Sequence, residues 1–190
     1  MNITVTIDDR QVQQALTALQ QRLSNMKPVF EQIGQYYEAR VLENFAKESS
    51  PDGIKWAPLS ASTIMGRLGR KDGKGKRPML LKSGALSAKG KQFLTTKAIL
   101  FQEGYLRKSI HHQSTQTSVL IGTSSIEDVG KYAAIHQFGG PAGTGRKVTI
   151  PARPYLAVNK GESLDLAPRD RDEIVSILHR YLSDVVEGRK

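Results

Sequence analysis

The chain has no cysteine among its 190 residues, which excludes disulfides, thiolate nucleophiles and cysteine metal sites together. Folding therefore cannot depend on oxidation. No apolar run approaches the roughly 18 residues needed to cross a bilayer, and the opening MNITVTIDDR has neither the basic n-region nor the apolar h-region of a secretory leader. A soluble, non-secreted protein with no membrane contact is expected, in keeping with assembly in a reducing cytoplasm. Catalytic motifs are missing as well: no H-E-x-x-H, G-x-S-x-G or phosphate-loop sequence occurs, and GPAGTG lacks the lysine-serine or lysine-threonine ending of a phosphate loop. Of the four histidines, His111 and His112 are neighbours that would point to opposite faces of a strand, a poor arrangement for one metal. His136 reads as a hydrogen-bonding helix residue and His179 as a helix-flank residue. No enzyme, metal or cofactor is expected.

What is present is a core of ordinary size and an uneven charge. A length of 190 residues with 38% apolar composition suits one domain, 1–190. The net charge of +10 is local: Gly66 to Lys108 hold twelve Lys or Arg against Asp72 and Glu103, while the remainder is neutral. Such a segment suits contact with phosphates or a carboxylate-lined partner, or it serves only to keep a flexible insertion at about 66–104 soluble.

Along the chain, Ile3, Val5 and Ile7 alternate with polar residues as in a half-buried strand. Asp8 or Asp9 caps a helix carrying Val12, Leu16, Leu19 and Leu23 to about Asn25. Pro28 then suits the first turn of a second helix with a buried stripe of Val29, Phe30, Ile33, Tyr37, Val41 and Phe45. From Ser49 the pattern reads as loop, with a helical turn from Ser60 and the single tryptophan, Trp56, as its packing anchor, exposed contact with a partner being the lesser alternative. Leu106–His112 and Thr117–Gly122 form a hairpin around Gln113–Gln116. Lys147–Ile150 and Tyr155–Val158 offer further strand. Pro168 opens a last helix whose buried face is Ile174, Ile177, Leu178, Leu182 and Val185, ending at Gly188. The fold class is α+β: N-terminal helices and a C-terminal helix packed on a small antiparallel sheet, with a long basic loop insertion.

Tyr132 to Leu156 is the most informative stretch. Tyr132, Ile135 and Phe138 recur every third residue, as on one face of a short helix, and Gly139 falls where a left-handed cap would end it. The glycines that follow suit a hairpin tip, with phosphate binding through Arg146 or Lys147 the lesser alternative. Pro151 and Pro154 hold the exit extended around Arg153, whose planar fork suits a carboxylate or phosphate, or an intrachain salt bridge equally well.

YAAIHQFGG at Tyr132–Gly140 followed by IPARPYL at Ile150–Leu156 closely resembles the signature of the phage virion morphogenesis family, the tail-completion proteins of Mu-like and P2-like phages and prophages. PDGIKWAPLS at Pro51–Ser60 resembles the family's segment after its long helix. Both LLKSGAL at Leu80–Leu86 and ILFQEGYLRKSI at Ile99–Ile110 resemble a further family element, and the second is favoured because it leads into a strand. The resemblance implies a structural protein of tail completion or head-tail joining that assembles as rings with other tail or neck proteins in the virion, after synthesis in the bacterial cytoplasm. It further implies self-association in the virion and a monomer or weak oligomer alone. Tyr132, His136, Gln137, Phe138, Arg153, Pro154 and Tyr155 would shape or support that interface, with core packing an equal competitor for Tyr132 and Phe138. A non-specific DNA-binding module using Arg70, Lys71, Lys74, Lys76 and Arg77 is the alternative.

Overall fold

The computed structural model describes residues 9–71, 74, 78–96, 98–101, 104–124, 129–146, 148–160 and 163–186. The expected strand at Asn2–Ile7, the Asp8 cap, Lys76, Arg77, Lys147 and Gly188 lie outside them. Helices and short antiparallel ladders make an α+β fold, and the chain divides into two interleaved compact units. The first comprises Met1–Val41, Ile110–Gly122 and Ala157–Lys190; the second comprises Leu42–Ser109 and Thr123–Leu156.

Three helices and a hairpin build the first unit. Helix α1 covers Arg10–Ser24, α2 runs Lys27–Lys47 with Pro28 in its first turn, and α7 runs Pro168–Val186. Strands β1 (Ile110–Ser114) and β2 (Val119–Thr123) are joined by a polar turn closed by the Thr115 N–H donating to Ser118 O at 2.8 Å. Val29 and Ile33 of α2 meet Ile177 of α7, and Val119 of β2 packs against them, so the helices lie on the hairpin as the apolar spacing requires. A buried polar node fixes the pairing of α2 with α7. Asp170, 1% exposed, accepts from Arg40 Nε at 2.7 Å and from the Tyr36 hydroxyl at 2.8 Å. Burial and that bond to Asp170 push the Tyr36 pKa up to about 12.

Two expectations need correcting here. Leu106 to Lys108 belong to the short helix α5 (Tyr105–Lys108), and β1 starts only at Ile110, because Leu106 is drawn into the core of the second unit. On α1 the stripe of Val12, Leu16 and Leu23 stays more than half exposed. The helix is held instead through Arg22, whose Nη1 donates to Tyr181 O at 2.8 Å and whose guanidinium lies 4.8 Å from the Tyr181 ring centre.

In the second unit, Phe45, Trp56, Leu68, Leu106, Val129, Ala133 and Tyr155 are buried. The end of α2 contributes Phe45, whose ring stands edge-on to Trp56 at 5.6 Å and tilted to Tyr155 at 5.2 Å. The basic insertion carries structure of its own: α3 at Ala61–Leu68, capped by Ser60, which accepts from Thr63 N–H at 3.2 Å, and α4 at Ala88–Thr96. Leu80 and Leu86 form an isolated antiparallel bridge between them. Helix α6 spans Val129–Phe138, and β3 (Gly140–Ala142) pairs with β4 (Val148–Ile150), with Gly140 opposite Ile150. In the first unit, β5 (Asn159–Lys160) pairs with β6 (Ser163–Leu164); the expected strand at Tyr155–Val158 has no ladder among the described residues and bends at Leu156.

Candidate functional site: the Tyr132–Leu156 element and its cleft

The segment singled out by sequence forms one continuous device in the second unit: helix α6, a glycine break, the β3–β4 hairpin and an extended strap, Pro151–Leu156. Gly139 ends α6 at φ 71°, with its N–H donating to Ile135 O at 2.9 Å. A methyl group there would come within 2.7 Å of Ala152 N, so both the left-handed angle and the close strap demand glycine. Gly140, Gly143 and Gly145 also have positive φ, which lets the chain reverse into the hairpin.

The inward face of α6 differs from the one that spacing suggested. Val129, Ala133 and Gln137 are buried at intervals of four, while Phe138 is 65% exposed and Tyr132 and Ile135 are half-buried. The cause is Gln137. Its Oε1 accepts from Tyr155 N–H at 3.0 Å and Leu156 N–H at 3.1 Å, and its Nε2 donates to Leu156 O at 2.8 Å. One side-chain amide thus stands in for a neighbouring strand and satisfies a strap that has no ladder. Apolar periodicity misses such a residue; a glutamine two positions before a glycine stop was the available signal.

The strap is then locked from the opposite side. Trp56 Nε1 donates to Pro154 O at 2.8 Å, and Asn44 Nδ2 donates to Tyr155 O at 3.2 Å. Tyr155 is buried, and its hydroxyl donates to Ala133 O at 3.3 Å. Burial first, and then the Tyr132 phenol, push its pKa up to about 12. Arg153 is also buried, and it forms no salt bridge among the described residues. Nε donates to Ala57 O at 2.9 Å and Nη2 to Pro58 O at 3.1 Å, tying the strap to the Trp56 loop through neutral acceptors. Trp56 is the anchor that the sequence suggested.

A cleft of about 680 Å³ opens beside this device, walled by α3, α5, α6, β4 and the strap. Tyr132, His136 and Arg153 line it together with Arg67, Tyr105 and Val148. Of the residues named from sequence, Tyr132, His136 and Arg153 therefore meet in one place. Gln137, Pro154 and Tyr155 are engaged behind it, and Phe138 points to solvent. His136 hydrogen-bonds through its backbone, its carbonyl accepting from Arg153 N–H at 2.7 Å; its ring stands edge-on to Tyr132 at 6.1 Å, and its Nδ1 is buried without a partner among the described residues. Burial, reinforced by the charges of Arg153 and Arg67, holds its pKa below the usual value, so the imidazole is neutral near pH 7. Arg67, absent from the residues singled out by sequence, lies half-buried on the wall. Burial draws its pKa down, as it does for Arg153, where Arg67 adds to the effect. Arg70, Lys71 and Lys74 are exposed in the basic insertion and stand outside the cleft lining.

The sequence profile of the phage virion morphogenesis family matches residues 7–91 and 84–183, most of the chain. The chain belongs to the phage virion morphogenesis family. Its two matched stretches overlap at 84–91, in the region where two segments resemble one family element. The chain is also 38% identical over 82 residues to the Mu-like prophage FluMu G protein 2 of Haemophilus influenzae. That alignment covers 43% of this chain and spans about half the length of the relative. No solved structure matches. Membership identifies a phage or prophage protein of virion morphogenesis, a family of structural and assembly proteins.

Proposed function

We propose that the protein acts in tail completion or head-tail joining, through ring assembly at the neck or tail end and without catalytic turnover. The observation that carries this reading is the division of labour within the Tyr132–Leu156 element. Its inner groups, Gln137, Arg153, Pro154 and Tyr155, spend their hydrogen bonds on one rigid shape, while Phe138 and Val148, 65% and 60% exposed, offer apolar surface that the described residues leave open. Phe138 is the direct contact in this reading, and Tyr132 and His136 supply the cleft beside it. Other tail or neck proteins and further copies of the chain are the partners, with head-to-tail contacts that close after a fixed rotation. The test is complementation of a phage lacking the gene by Phe138→Ser, scored by electron microscopy for unjoined heads and tails and paired with thermal denaturation of the purified variant. A folded Phe138→Ser that fails to join virions supports the reading. Normal virions from it remove Phe138 from the interface, and normal virions without the gene overturn the morphogenesis role of this chain.

A second reading rests on the basic insertion, where Arg70, Lys71 and Lys74 are exposed. Here the chain binds duplex DNA without sequence preference near the DNA path of the neck. Each phosphate contact adds about −0.9 to the slope of log affinity against log salt, so replacing Lys71 and Lys74 with Gln flattens that slope. An unchanged slope removes the DNA contact.

A further inference from the structure

The cleft of the second unit has an excess of donors and positive charge on its walls. Arg67 and Arg153 both line it, and among the described residues no carboxylate does. Arg153 spends two donors on the neutral carbonyls of Ala57 and Pro58, which leaves its charge uncancelled. The Arg67 guanidinium has no hydrogen-bond or ion-pair partner among the described residues, although burial already costs it solvation. His136 adds a buried Nδ1 with no partner among the described residues. Chains retain desolvated cations where something neutralises them, and here nothing in the described chain does so.

The remaining wall indicates the class of occupant. Leu100, Tyr105, Leu106, Val148, Ile150 and Pro151 give the cleft an apolar lining, and Tyr105 and Val148 stay 48% and 60% exposed at it. Leu100 holds a left-handed φ of 59°, a conformation that costs a branched residue about 1 kcal/mol and that surrounding structure must enforce. A duplex phosphate meets cations on open surface; it does not enter an apolar recess to reach a buried arginine. A peptide side chain does, and a carboxylate suits the fork of Arg67.

We propose that this cleft is a carboxylate-binding site, which receives an Asp or Glu side chain flanked by apolar residues on a segment of a partner virion protein, with Arg67 as its counter-charge. The identity of the partner rests on the assembly role proposed above; the binding chemistry does not. In this state the carboxylate supplies the negative charge that the described wall lacks, and the apolar flanks cover Tyr105 and Val148. The bound anion also offsets the two guanidinium charges that now disfavour protonation of His136.

The probes are N-acetyl-Phe-Asp-Phe-amide and its Asn counterpart, titrated into the full chain at pH 7 with the His136 imidazole followed by NMR. The expected result is a saturable shift with the Asp peptide, a rise in the His136 titration midpoint, and at least about tenfold weaker binding of the Asn peptide, the worth of one charge-assisted hydrogen bond. Arg67→Gln should lose a similar factor while keeping its thermal transition, and Lys89→Gln, an exposed cation on α4, should lose none. Equal binding of both peptides would make the cleft merely apolar. Stronger competition by inorganic phosphate than by acetate would assign it to nucleic-acid backbone, and no shift at about 10 mM peptide would remove the site. Any of these overturns the proposal while leaving the phage complementation result untouched.

Discussion

At the scale of single residues, the chain places its polar side chains where an apolar pattern would hide them. Gln137 is the sharpest case: Gln137→Ala strands the N–H groups of Tyr155 and Leu156 in the core, at about 1–3 kcal/mol for an unsatisfied group. A loss of about 2–4 kcal/mol in urea unfolding is expected, and a loss under about 0.5 kcal/mol would show that water replaces the amide. Asp170 makes a similar demand in the first unit, since its removal takes from the buried Arg40 the carboxylate that its Nε meets at 2.7 Å. Asp170→Ala should cost about 3–5 kcal/mol by the same measurement. His112 adds pH dependence. Its Nδ1 lies 2.6 Å from Glu38 Oε2 and its Nε2 lies 3.0 Å from Glu31 Oε1, and only the imidazolium donates from both nitrogens. Gly34 makes the approach possible, because a methyl there would sit 2.3 Å from His112 Cδ2. The bond to Glu38 raises the His112 pKa above its ordinary 6.5 against the opposing effect of burial. The stabilisation is then complete below 6.5 and is lost as pH rises through the raised value. For Glu31, lowered from 4.5 chiefly by His112, it is lost as pH falls through the lowered value. Melting temperatures should therefore fall as pH rises from 6.5 through the raised His112 value, and His112→Gln should flatten that dependence. An unchanged profile in the variant would clear His112 of the effect.

At the scale of elements, helices with strong spacing were legible and those governed by polar or tertiary contacts were not. The stripe from Val29 to Phe45 and the face of Ile174 and Ile177 on α7 needed only period and a proline start, and both elements formed as the sequence implies. The hairpin of β1 and β2 was legible from its polar turn, with its start misplaced because Leu106 is apolar in either setting. Helix α6 was found from the same residues that misassigned its inner face, since a three-residue period cannot reveal that Gln137 replaces a strand. Helix α4 was hidden because AKGKQFLTT carries Gly90 and few apolar residues; that glycine is required where a methyl would lie 2.2 Å from Met79 O. In the candidate site, Tyr132, His136 and Arg153 were legible as a group, whereas Arg67 lay in a stretch that read only as charge. Two substitutions separate covered from uncovered surface. Gly139→Ala must tolerate φ 71° and a strap 2.7 Å away, and should cost about 2 kcal/mol or more in unfolding free energy. Leu16→Asp on the open face of α1 should stay within about 0.5 kcal/mol of the parent, because that side chain is 54% exposed. A large loss there would mean that residues outside the described set cover α1.

At the scale of the whole molecule, charge and apolar exposure act in opposite directions on self-association. A net charge of +10 at pH 7, carried almost wholly by the Gly66–Lys108 segment, makes copies repel at long range. The exposed Leu16, Phe138 and Val148 favour contact once copies are close. In dilute solution at low salt the repulsion should dominate and keep the chain monomeric or weakly associated, with ring formation awaiting a template of fixed symmetry. Salt separates the two proposed roles, because a Debye length of about 10 Å at 0.1 M shrinks to about 3 Å at 1 M. Screening weakens repulsion between like-charged copies, whereas it weakens attraction between the basic segment and DNA. Sedimentation velocity of the chain alone should therefore show the larger species growing as salt rises from about 0.05 to about 0.5 M. Binding to a duplex should decline over the same range. If self-association instead fell with salt, the contact between copies would be electrostatic, with the basic segment inside it. The apolar surface around Phe138 would then lose its place in ring assembly, and an acidic face on the neighbouring copy would take it.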